Sequence, residues 1–453
     1  MADASGVESF VVQGEPTKDF FISMLVRDIG LIPAIVDLVD NSVDGGRRLR
    51  PADDPDRGDE ERFDGLFVAL RITAESFEII DNCGGISWET ASNYAFRFGR
   101  PTEAPSTPGS IGQFGIGMKR ALFKLGNAFT VRSVTEKEDF ELRVNVPEWS
   151  ASSEWNFSDV TYRPDSHASN EVGTTITVTD LHPAVSESFS LKRFETELSD
   201  ELSMRHQASM SDGLAVSLNG IPVDVDVLTL LTSEELKPGY FAEALDEESE
   251  TPVHVSMYTG VSASSPADAG WYVYCNGRLI LGPDRTSVTG WGTARGVPQY
   301  HNQYARFRGY LFFESASVDK LPWTTTKEGV DSGHWAYRAL KPRMVDAMRP
   351  VMAFLNALDA EKDNPAPGKE SLESFVSAAE SSPSTLGQIT TTTTFTSPQR
   401  PKAPKPPETQ SIQFVRPKKQ IDAIKKKLKV SSAGKVGEGT FDYFYKRECA
   451  DDE

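Results

Sequence analysis

The sequence has few cysteines and no long apolar run. Its three cysteines, Cys83, Cys275 and Cys449, are far apart, so neither a disulfide framework nor a zinc site with paired ligands is expected. No stretch approaches the roughly 20 apolar residues that span a bilayer, and the first residues lack a basic segment followed by an apolar one. These absences predict a cytoplasmic protein with no membrane partner.

Positive charge is also scarce. The chain has 47 basic and 66 acidic residues and a formal net charge of −19, which argues against a surface that binds nucleic acid everywhere. Any such binding must be local, and residues 400–429 carry ten lysines or arginines against two acidic residues. Ile421, Ile424 and Leu428 also give this segment an amphipathic helical pattern. We therefore expect it to bind a protein partner or DNA.

The length of 453 residues predicts two or three domains and a tail. An N-terminal α+β domain is predicted over residues 10–185 and a second α/β domain over residues 190–360. Residues 361–412 are rich in proline, serine and threonine, which predicts a flexible linker. Residues 413–453 are predicted to hold the basic amphipathic helix and a partly disordered C-terminal tail.

Hydrophobic periodicity places the elements. Between Phe20 and Asp44 apolar residues recur mostly every three or four positions, as on one helix face, and Pro33 suits a first helical turn. The polar stretch 47–62 predicts a loop. Strands are predicted over 65–72, 76–80, 129–133, 140–146, 174–179, 271–275 and 307–313, and further helices over 118–126 and 333–358. The N-terminal pattern indicates helices grouped on one side of a sheet.

Three motifs contain residues with candidate chemical roles, and the first lies in the helix predicted up to Asp44. Asp37, Asp40, Asn41 and Asp44 share one helical arc because steps of three and four residues return to the same face. Oxygen ligands of this kind suit Mg²⁺, and a nearby carboxylate can orient or deprotonate a water molecule. The alternative interpretation is a solvated acidic face.

The second motif, Asp-Asn-Cys-Gly-Gly-Ile at residues 81–86, ends an apolar strand. A partly buried Asp81 can accept a hydrogen bond from the exocyclic amine of a base, and adjacent glycines let a base approach the backbone. The alternative is a simple turn, since asparagine and glycine are common turn residues.

The third motif, residues 109–120, places closely spaced glycines directly before a helix. Backbone N–H groups of such a loop can surround phosphates, the helix N-terminus adds partial positive charge, and Lys119 can supply more. The motif lacks the Gly-Lys-Ser/Thr ending of a P-loop and does not follow a first strand, as a dinucleotide-binding motif would. A flexible loop is the alternative.

In order and spacing the three motifs resemble the N, G1 and G2 boxes of the GHKL superfamily (gyrase, heat-shock chaperone, histidine kinase, MutL). The sequence Gly-Thr-Thr-Ile at residues 173–176 is similar to a strand that supplies a threonine to the family's adenine pocket. The resemblance implies a Bergerat-type α/β sandwich that binds ATP and Mg²⁺, with Asn41 on the metal, Asp81 reading adenine and Thr174 assisting it. It also implies that two further groups of residues bind nucleotide. The first group is Gly85 and Ile86. The second group, whose glycines form a lid, is Gly112, Gln113, Phe114, Gly115, Ile116, Gly117, Met118 and Lys119.

Two positions depart from the family pattern. The family's water-activating glutamate falls at Asp37, whose side chain reaches ~1.5 Å less, one C–C bond, so slow hydrolysis is expected. Asp40 is a weaker candidate for the same role. Cys83 stands at the first glycine of the G1 box, whereas Gly85 is in place, so we expect binding to survive.

The predicted second domain carries two further similarities. Residues 271–280, which contain Asn-Gly-Arg, resemble a strand of the transducer domain in gyrase-like and MutL-like members. Residues 321–327 are similar to the transducer loop, present also in MORC proteins, that extends a lysine to the γ-phosphate, which assigns Lys327 that role. The alternatives are a hairpin turn and an exposed surface lysine.

These features predict an ATPase that acts as an ATP-gated conformational or dimerisation switch, with a lid at about 97–117 and a layout closest to MORC-like and MutL-like members. A role in DNA-related processes or defence follows from that resemblance. The alternative is a nucleotide-sensing regulatory or scaffold protein with negligible turnover. Histidine-kinase phosphotransfer is disfavoured, because no helical dimerisation segment with a phosphoacceptor histidine precedes the first motif.

Overall fold

The chain divides into two compact units, residues 1–398 and 399–453. The structure, a computed structural model, describes residues 14–51, 61–101, 103, 107–112, 115–165, 172–293, 297–363, 370–398, 410 and 412–449. Two of the predicted nucleotide-binding residues, Gln113 and Phe114, lie outside this part of the chain.

The apolar pattern that starts at Phe20 forms two helices, α1 (Lys18–Arg27) and α2 (Leu31–Leu49). They are separate because Pro33, in the first turn of α2, has no N–H to donate to residue 29 and its ring clashes with that carbonyl. Helix α2 also continues past Asp44 to Leu49, so the loop predicted from residue 47 begins later. Arg47 is consequently a buried helical residue and not a loop residue.

The first sheet contains eight strands: β1 (Phe67–Ile72), β2 (Phe77–Asp81), β3 (Gly126–Val134), β4 (Glu138–Asn145), β5 (Val160–Pro164), β6 (Gly173–Leu181), β7 (Ala215–Leu218) and β8 (Ile221–Pro222). Their spatial order is β5-β4-β3-β6-β2-β1-β7-β8, and all neighbours are antiparallel except β1 and β7. The strands predicted before residue 185 are confirmed to within a few residues. The sheet nevertheless extends past that point, because β7 pairs with β1 from beyond the predicted domain boundary.

Helices connect these strands: α3 (Trp88–Thr90), α4 (Gly117–Leu125), α5 (Val146–Ala151), α6 (Pro183–Phe189), α7 (Lys192–Arg205) and α8 (Gln207–Ser211). Alternate strand residues such as Val131 and Val178 are buried in one apolar cluster with Val36 and Val39 of α2. Alternation on strands and three-to-four spacing on helices place these side chains on facing surfaces. The predicted α+β architecture is confirmed.

The second sheet contains five strands: β10 (Gly239–Leu245), β11 (Val253–Val261), β12 (Gly270–Cys275), β13 (Arg278–Asp284) and β14 (Phe307–Glu314), after a short β9 (Thr229–Leu230). Its order is β10-β11-β14-β12-β13, with β12 and β14 parallel. Helix α9 (Trp335–Asp363) follows, and its Tyr337 is buried with Phe307 and Phe313 of β14. The helix and strands predicted in this region are confirmed to within a few residues.

Residues 370–398 are ordered, which corrects part of the predicted linker over 361–412. Helix α10 (Leu372–Glu380) buries residues at steps of four and three, Leu372, Val376 and Ala379. Strand β15 (Ser384–Thr385) then pairs with β9. Three well-spaced apolar side chains are thus enough to order a segment whose average composition is polar. Residues 364–369, 399–409 and 411 of the predicted linker lie outside the described residues.

In the second unit, α11 (Lys418–Leu428) and α12 (Ala433–Glu448) pack against each other. The basic amphipathic helix predicted there is confirmed as α11. Aromatic side chains of α12 stay exposed: Phe441, Tyr443, Phe444 and Tyr445. Within the described chain, no helix has the length and apolar character needed to span a membrane.

Candidate functional site

A cavity of about 890 Å³ lies where α2, β2, β6 and α4 meet and extends to the second sheet. It brings together every predicted site residue that the structure describes: Asp37, Asn41, Asp81, Gly85, Ile86, Gly112, Gly115, Ile116, Gly117, Met118, Lys119, Thr174 and Lys327. These residues come from positions as distant as 37 and 327, so the fold converges on one site.

At one end of the cavity, Asp81 closes β2 directly opposite Thr174 of β6. Its carboxylate accepts hydrogen bonds from Ser42 Oγ at 2.7 Å, from the Cys83 N–H at 2.9 Å and from the Thr174 N–H at 3.3 Å. Burial raises the pKa of Asp81, and the three hydrogen bonds oppose that rise. The carboxylate is thereby held in one orientation. The role of Ser42 was not foreseen in the sequence, although it lies within the first motif.

Gly85 is required by its surroundings. Its φ is +70°, and an added Cβ would lie 2.2 Å from the Val134 carbonyl oxygen. The next residue, Ile86, donates its N–H to Ser133 Oγ at 2.7 Å, and that oxygen lies 3.2 Å from Thr174 Oγ1. This turn therefore packs against two strands, and it is more than the simple strand-ending turn considered as an alternative.

The beginning of the glycine-rich loop is attached to α2. The Asp44 carboxylate accepts the N–H groups of Ile111 and Gly112, each at 2.7 Å. Arg47 Nη1 donates to the Gly109 carbonyl at 2.6 Å. Asp44 and Arg47 are both buried, so the C-terminal half of α2 is no solvated acidic face. The structural role of Arg47 was missed because the helix was predicted to end before it.

Lys119 differs from its predicted role. Its ammonium donates to the carbonyl oxygens of Ala95, at 2.8 Å, and Gly115. Burial lowers the pKa of Lys119 to about 7. Although Lys119 lines the cavity, two of its three ammonium donors are used on backbone next to the loop, because α4 turns this side chain into the protein. The ammonium is therefore directed at carbonyl oxygens instead of being presented freely to a phosphate.

At the other end of the cavity, five charged side chains form a buried ionic cluster. Asp37 Oδ2 lies 2.7 Å from Arg120 Nη2. Asp40 uses both oxygens, with Oδ1 at 2.8 Å from Arg278 Nη1 and Oδ2 at 2.7 Å from Lys327 Nζ. Lys327 and Arg278 also lie 3.5 and 3.8 Å from Asp37 Oδ1. Within this cluster three cations face two carboxylates, and the nearby Asp44 and Glu328 also interact with Lys327 and Arg278.

Asp40 and Lys327 stay charged at neutral pH. Burial raises the pKa of Asp40, but Arg278 and Lys327 outweigh it and lower the pKa to about 2. Burial lowers the pKa of Lys327, yet Asp40 and Asp37 reverse this and raise it. His206, whose Nε2 lies 3.6 Å from Asp40 Oδ1, has its pKa lowered by burial to about 3 and stays neutral. No role in the site was predicted from the sequence for His206 or Arg120.

Two cations of the cluster come from the second-sheet region. Arg278 begins β13 after a turn in which Asn276 and Gly277 both have positive φ, as a two-residue hairpin requires. Asn276 Nδ2 donates to the Ser110 carbonyl at 3.0 Å, and the Asn276 carbonyl accepts from Arg47 Nη2 at 2.7 Å. The Asn-Gly-Arg motif is therefore a hairpin turn that also contacts the glycine-rich loop.

The alternative of an exposed Lys327 is wrong, since only 7% of its surface is accessible. The residue has a φ of +56° in a turn closed by its N–H to the Thr324 carbonyl at 2.9 Å. This backbone conformation is uncommon for a residue with a side chain, and the turn carries the lysine into the cluster.

A family model described as histidine kinase-, DNA gyrase B- and HSP90-like ATPase matches residues 29–175. No curated protein matches the chain. The matched segment runs from just before α2 to Thr175 in β6, so it includes the predicted site residues from Asp37 to Thr174 but neither Arg278 nor Lys327. The matched segment carries the acidic side chains and the glycine-rich loop expected of a nucleotide site. Residues 29–175 of this chain therefore form a domain of the GHKL ATPase superfamily.

Proposed function

We propose that the protein binds Mg·ATP in this cavity, hydrolyses it slowly and acts as an ATP-gated conformational or dimerisation switch. The observation that carries this proposal is the position of Lys327 and Arg278. Both come from the second-sheet region, yet both lie on carboxylates of α2 inside the ATPase-type domain. A change in the charge bound at the cluster thus changes the electrostatic interactions of Lys327 and Arg278, and through them it acts directly on the second-sheet region.

Binding follows from the chemistry of the two ends of the cavity. Asp81 accepts the exocyclic amine of adenine, assisted by Thr174, and the glycines of residues 112–117 and the start of α4 bind phosphates through backbone N–H groups. The Lys327 ammonium of the ionic cluster suits the end of the triphosphate.

Asn41 is the proposed Mg²⁺ ligand. Its side chain is exposed, and its Nδ2 donates to the Asp37 carbonyl at 2.9 Å, which reserves the amide oxygen as an acceptor. Among the described residues no group of three histidine, cysteine, aspartate or glutamate side chains forms a metal site. Mg²⁺ fits this donor set, because it commonly uses one or two protein oxygens together with waters and phosphates. When bound, it would neutralise phosphate charge.

Asp37 is the proposed general base. Its Oδ2 is held by Arg120, whereas Oδ1 is buried, accepts no hydrogen bond from the described residues and lies 3.5 Å from Lys327 Nζ, which leaves it an acceptor position for a water molecule. The shorter aspartate must still come within hydrogen-bonding distance of that water, which is the reason for proposing slow turnover. Arg120 holds the carboxylate in one orientation through Oδ2.

The switch requires that nucleotide binds the open and closed states with different affinity. We propose that ATP, by attracting Lys327, favours a closed arrangement of the two sheets, stabilises the glycine-rich lid and promotes homodimerisation. The similarity of residues 271–280 and 321–327 to transducer segments of MORC-like and MutL-like members supports this coupling and stays a prediction.

The test combines turnover, affinity and mass. Phosphate release and Kd for Mg·ATP are measured for wild type, Asp37→Ala and Asp200→Ala, an exposed helical aspartate that serves as control. We expect Asp37→Ala to bind but not turn over and Asp200→Ala to resemble wild type. Light scattering with ADP and with a non-hydrolysable ATP analogue reports the oligomer, and an identical mass in both contradicts the dimerisation switch.

The alternative function is a nucleotide-sensing regulatory or scaffold protein with negligible turnover. The observation that favours it is the replacement of the family glutamate by Asp37. Wild type that binds ATP tightly and releases no phosphate above the Asp37→Ala level would support this alternative. Absence of any nucleotide binding would reject both functions.

We also propose a local binding role for the basic second unit, directed at DNA or an acidic protein partner. Residues 416–429 carry seven lysines or arginines, and within the described residues none of them forms an ion pair with a carboxylate. A DNA contact predicts affinity that falls steeply with salt and with charge reversal at Lys425, Lys426 and Lys427. Binding that depends on these residues only in the presence of a protein partner would favour the second target.

A further inference from the structure

Asp40 is the centre of the ionic cluster, and its two partners are not equivalent. Arg278 contacts Oδ1 from the first residue of β13, whereas Lys327 contacts Oδ2 from a turn. Only 1% of Asp40 is accessible, so bulk solvent does little to screen its charge. The charge of Asp40 is therefore balanced by protein groups alone.

The two cations differ in how firmly the fold holds them. Arg278 is 1% accessible and follows a hairpin turn that is hydrogen-bonded to Arg47 and Ser110. Lys327 ends in a single ammonium on a four-carbon stem, which rotates freely once its partner changes. Of the two, Lys327 is the one that can exchange partners without disturbing a strand.

A lysine that moves towards an anion must leave a buried carboxylate behind. Removing one member of a buried ion pair is strongly destabilising when the remaining charge has no other partner. Arg278, 2.8 Å from the opposite oxygen of Asp40, is the partner that remains. His206 cannot replace it, because burial keeps its imidazole neutral at neutral pH.

We infer that Arg278 is a positioning residue that neutralises Asp40 while Lys327 exchanges between Asp40 and the terminal phosphate of ATP. This inference rests on the proposed function. Asp40 competes with the phosphate for Lys327, and Arg278 weakens that competition. The preference of the protein for a triphosphate over a diphosphate thus depends on a residue that need not touch the nucleotide.

The experiment measures Kd for Mg·ADP and for a Mg-bound non-hydrolysable ATP analogue, and the ratio of the two is the readout. In Arg278→Gln, Lys327 becomes the sole cation on Asp40, so we expect the preference for the triphosphate to fall about tenfold. In an Asp40→Asn background the carboxylate is gone, and Arg278→Gln should then change the ratio by less than about twofold.

Outcomes in the two backgrounds separate the inference from simple electrostatics. An equal fall in both would mean that Arg278 acts directly on phosphate charge and would overturn the inference. No fall in either background would overturn it too. Arg278→Lys, which keeps a cation near Asp40, should recover part of the preference.

Arg308→Gln is the matched control, since Arg308 is also a buried arginine of the second sheet but bonds to the Ala305 and Phe307 carbonyls. Its ratio should equal that of wild type, and melting curves without nucleotide check that each variant folds. If Arg278→Gln does not fold, the Asp40→Asn variant alone tests the inference. Removing the carboxylate frees Lys327, so the preference for the triphosphate over the diphosphate must rise. An unchanged or lower preference refutes the inference. Wild type that binds no nucleotide refutes the proposed function instead.

Discussion

Asp81→Asn is the sharpest test of the site, because the surrounding hydrogen bonds define its effect. The oxygen that accepts the N–H groups of Cys83 and Thr174 can be replaced by the asparagine carbonyl. The other oxygen, 2.7 Å from Ser42 Oγ, becomes an NH₂ group, and the hydroxyl can rotate to accept from it. We therefore expect a loss of folding stability below about 1 kcal/mol.

The effect on binding should be larger. An adenine amine that donates to an ionised carboxylate makes a charge-assisted bond of about 1.5–3 kcal/mol, and in the variant it meets another donor. Affinity for ADP should fall about tenfold to hundredfold. The fall should be absent for inosine diphosphate, whose base has no exocyclic amine, so the variant should lose the wild-type preference for ADP over that nucleotide.

The assay is a titration of both nucleotides by isothermal calorimetry. Glu78→Gln, on the same strand but paired at 2.9 Å with the exposed Arg71, is the control and should bind as wild type does. A folded Asp81→Asn protein that still prefers ADP to inosine diphosphate would refute the assignment of Asp81 as the adenine-reading residue.

Three further predictions concern stability, each measured by urea unfolding. Gly85 and Gly109 share a φ near +70°, but only at Gly85 would an added Cβ meet a carbonyl oxygen, at 2.2 Å. Gly85→Ala should therefore lower the free energy of unfolding by at least about 2 kcal/mol more than Gly109→Ala, and equal decreases would contradict the clash. Arg47→Met removes the bonds to the Gly109 and Asn276 carbonyls and should lower the free energy of unfolding by about 3 kcal/mol; a decrease below about 1 kcal/mol would show that these bonds are dispensable. Burial lowers the pKa of His206 to about 3, so below about pH 6.5 the unfolded chain binds the extra proton and stability falls as pH falls, by about 2 kcal/mol at pH 5. His206→Phe should remove that share, and an unchanged pH profile would contradict this origin.

The local elements and the binding motifs were readable from sequence. Helix α2 and the strands of the first sheet follow from apolar spacing, and residues of all three motifs, among them Asp37, Asp81 and Gly117, line one cavity as predicted. The physical reason is that each motif sits within one helix, one strand end or one loop. Helical and strand periodicities then decide which side chains share a face.

Burial and charge balance were not readable in this way. The sequence showed aspartates on a helical arc, but only the fold reveals that Asp40 is buried and that its partners lie 238 and 287 residues further along the chain. Lys119 illustrates the same limit, because a lysine after a glycine-rich loop suggests a phosphate contact until packing turns it towards backbone carbonyls.

The sequence by itself thus determined which motif residues share one cavity and most of the element order, since both depend on spacing over a few residues. Tertiary structure alone decided that the Asn-Gly-Arg turn contacts the glycine-rich loop, that Arg47 joins them, and that β7 extends the first sheet. Such contacts form between segments whose separation carries no periodic signal. They depend on how whole faces pack, and packing depends on every buried side chain at once.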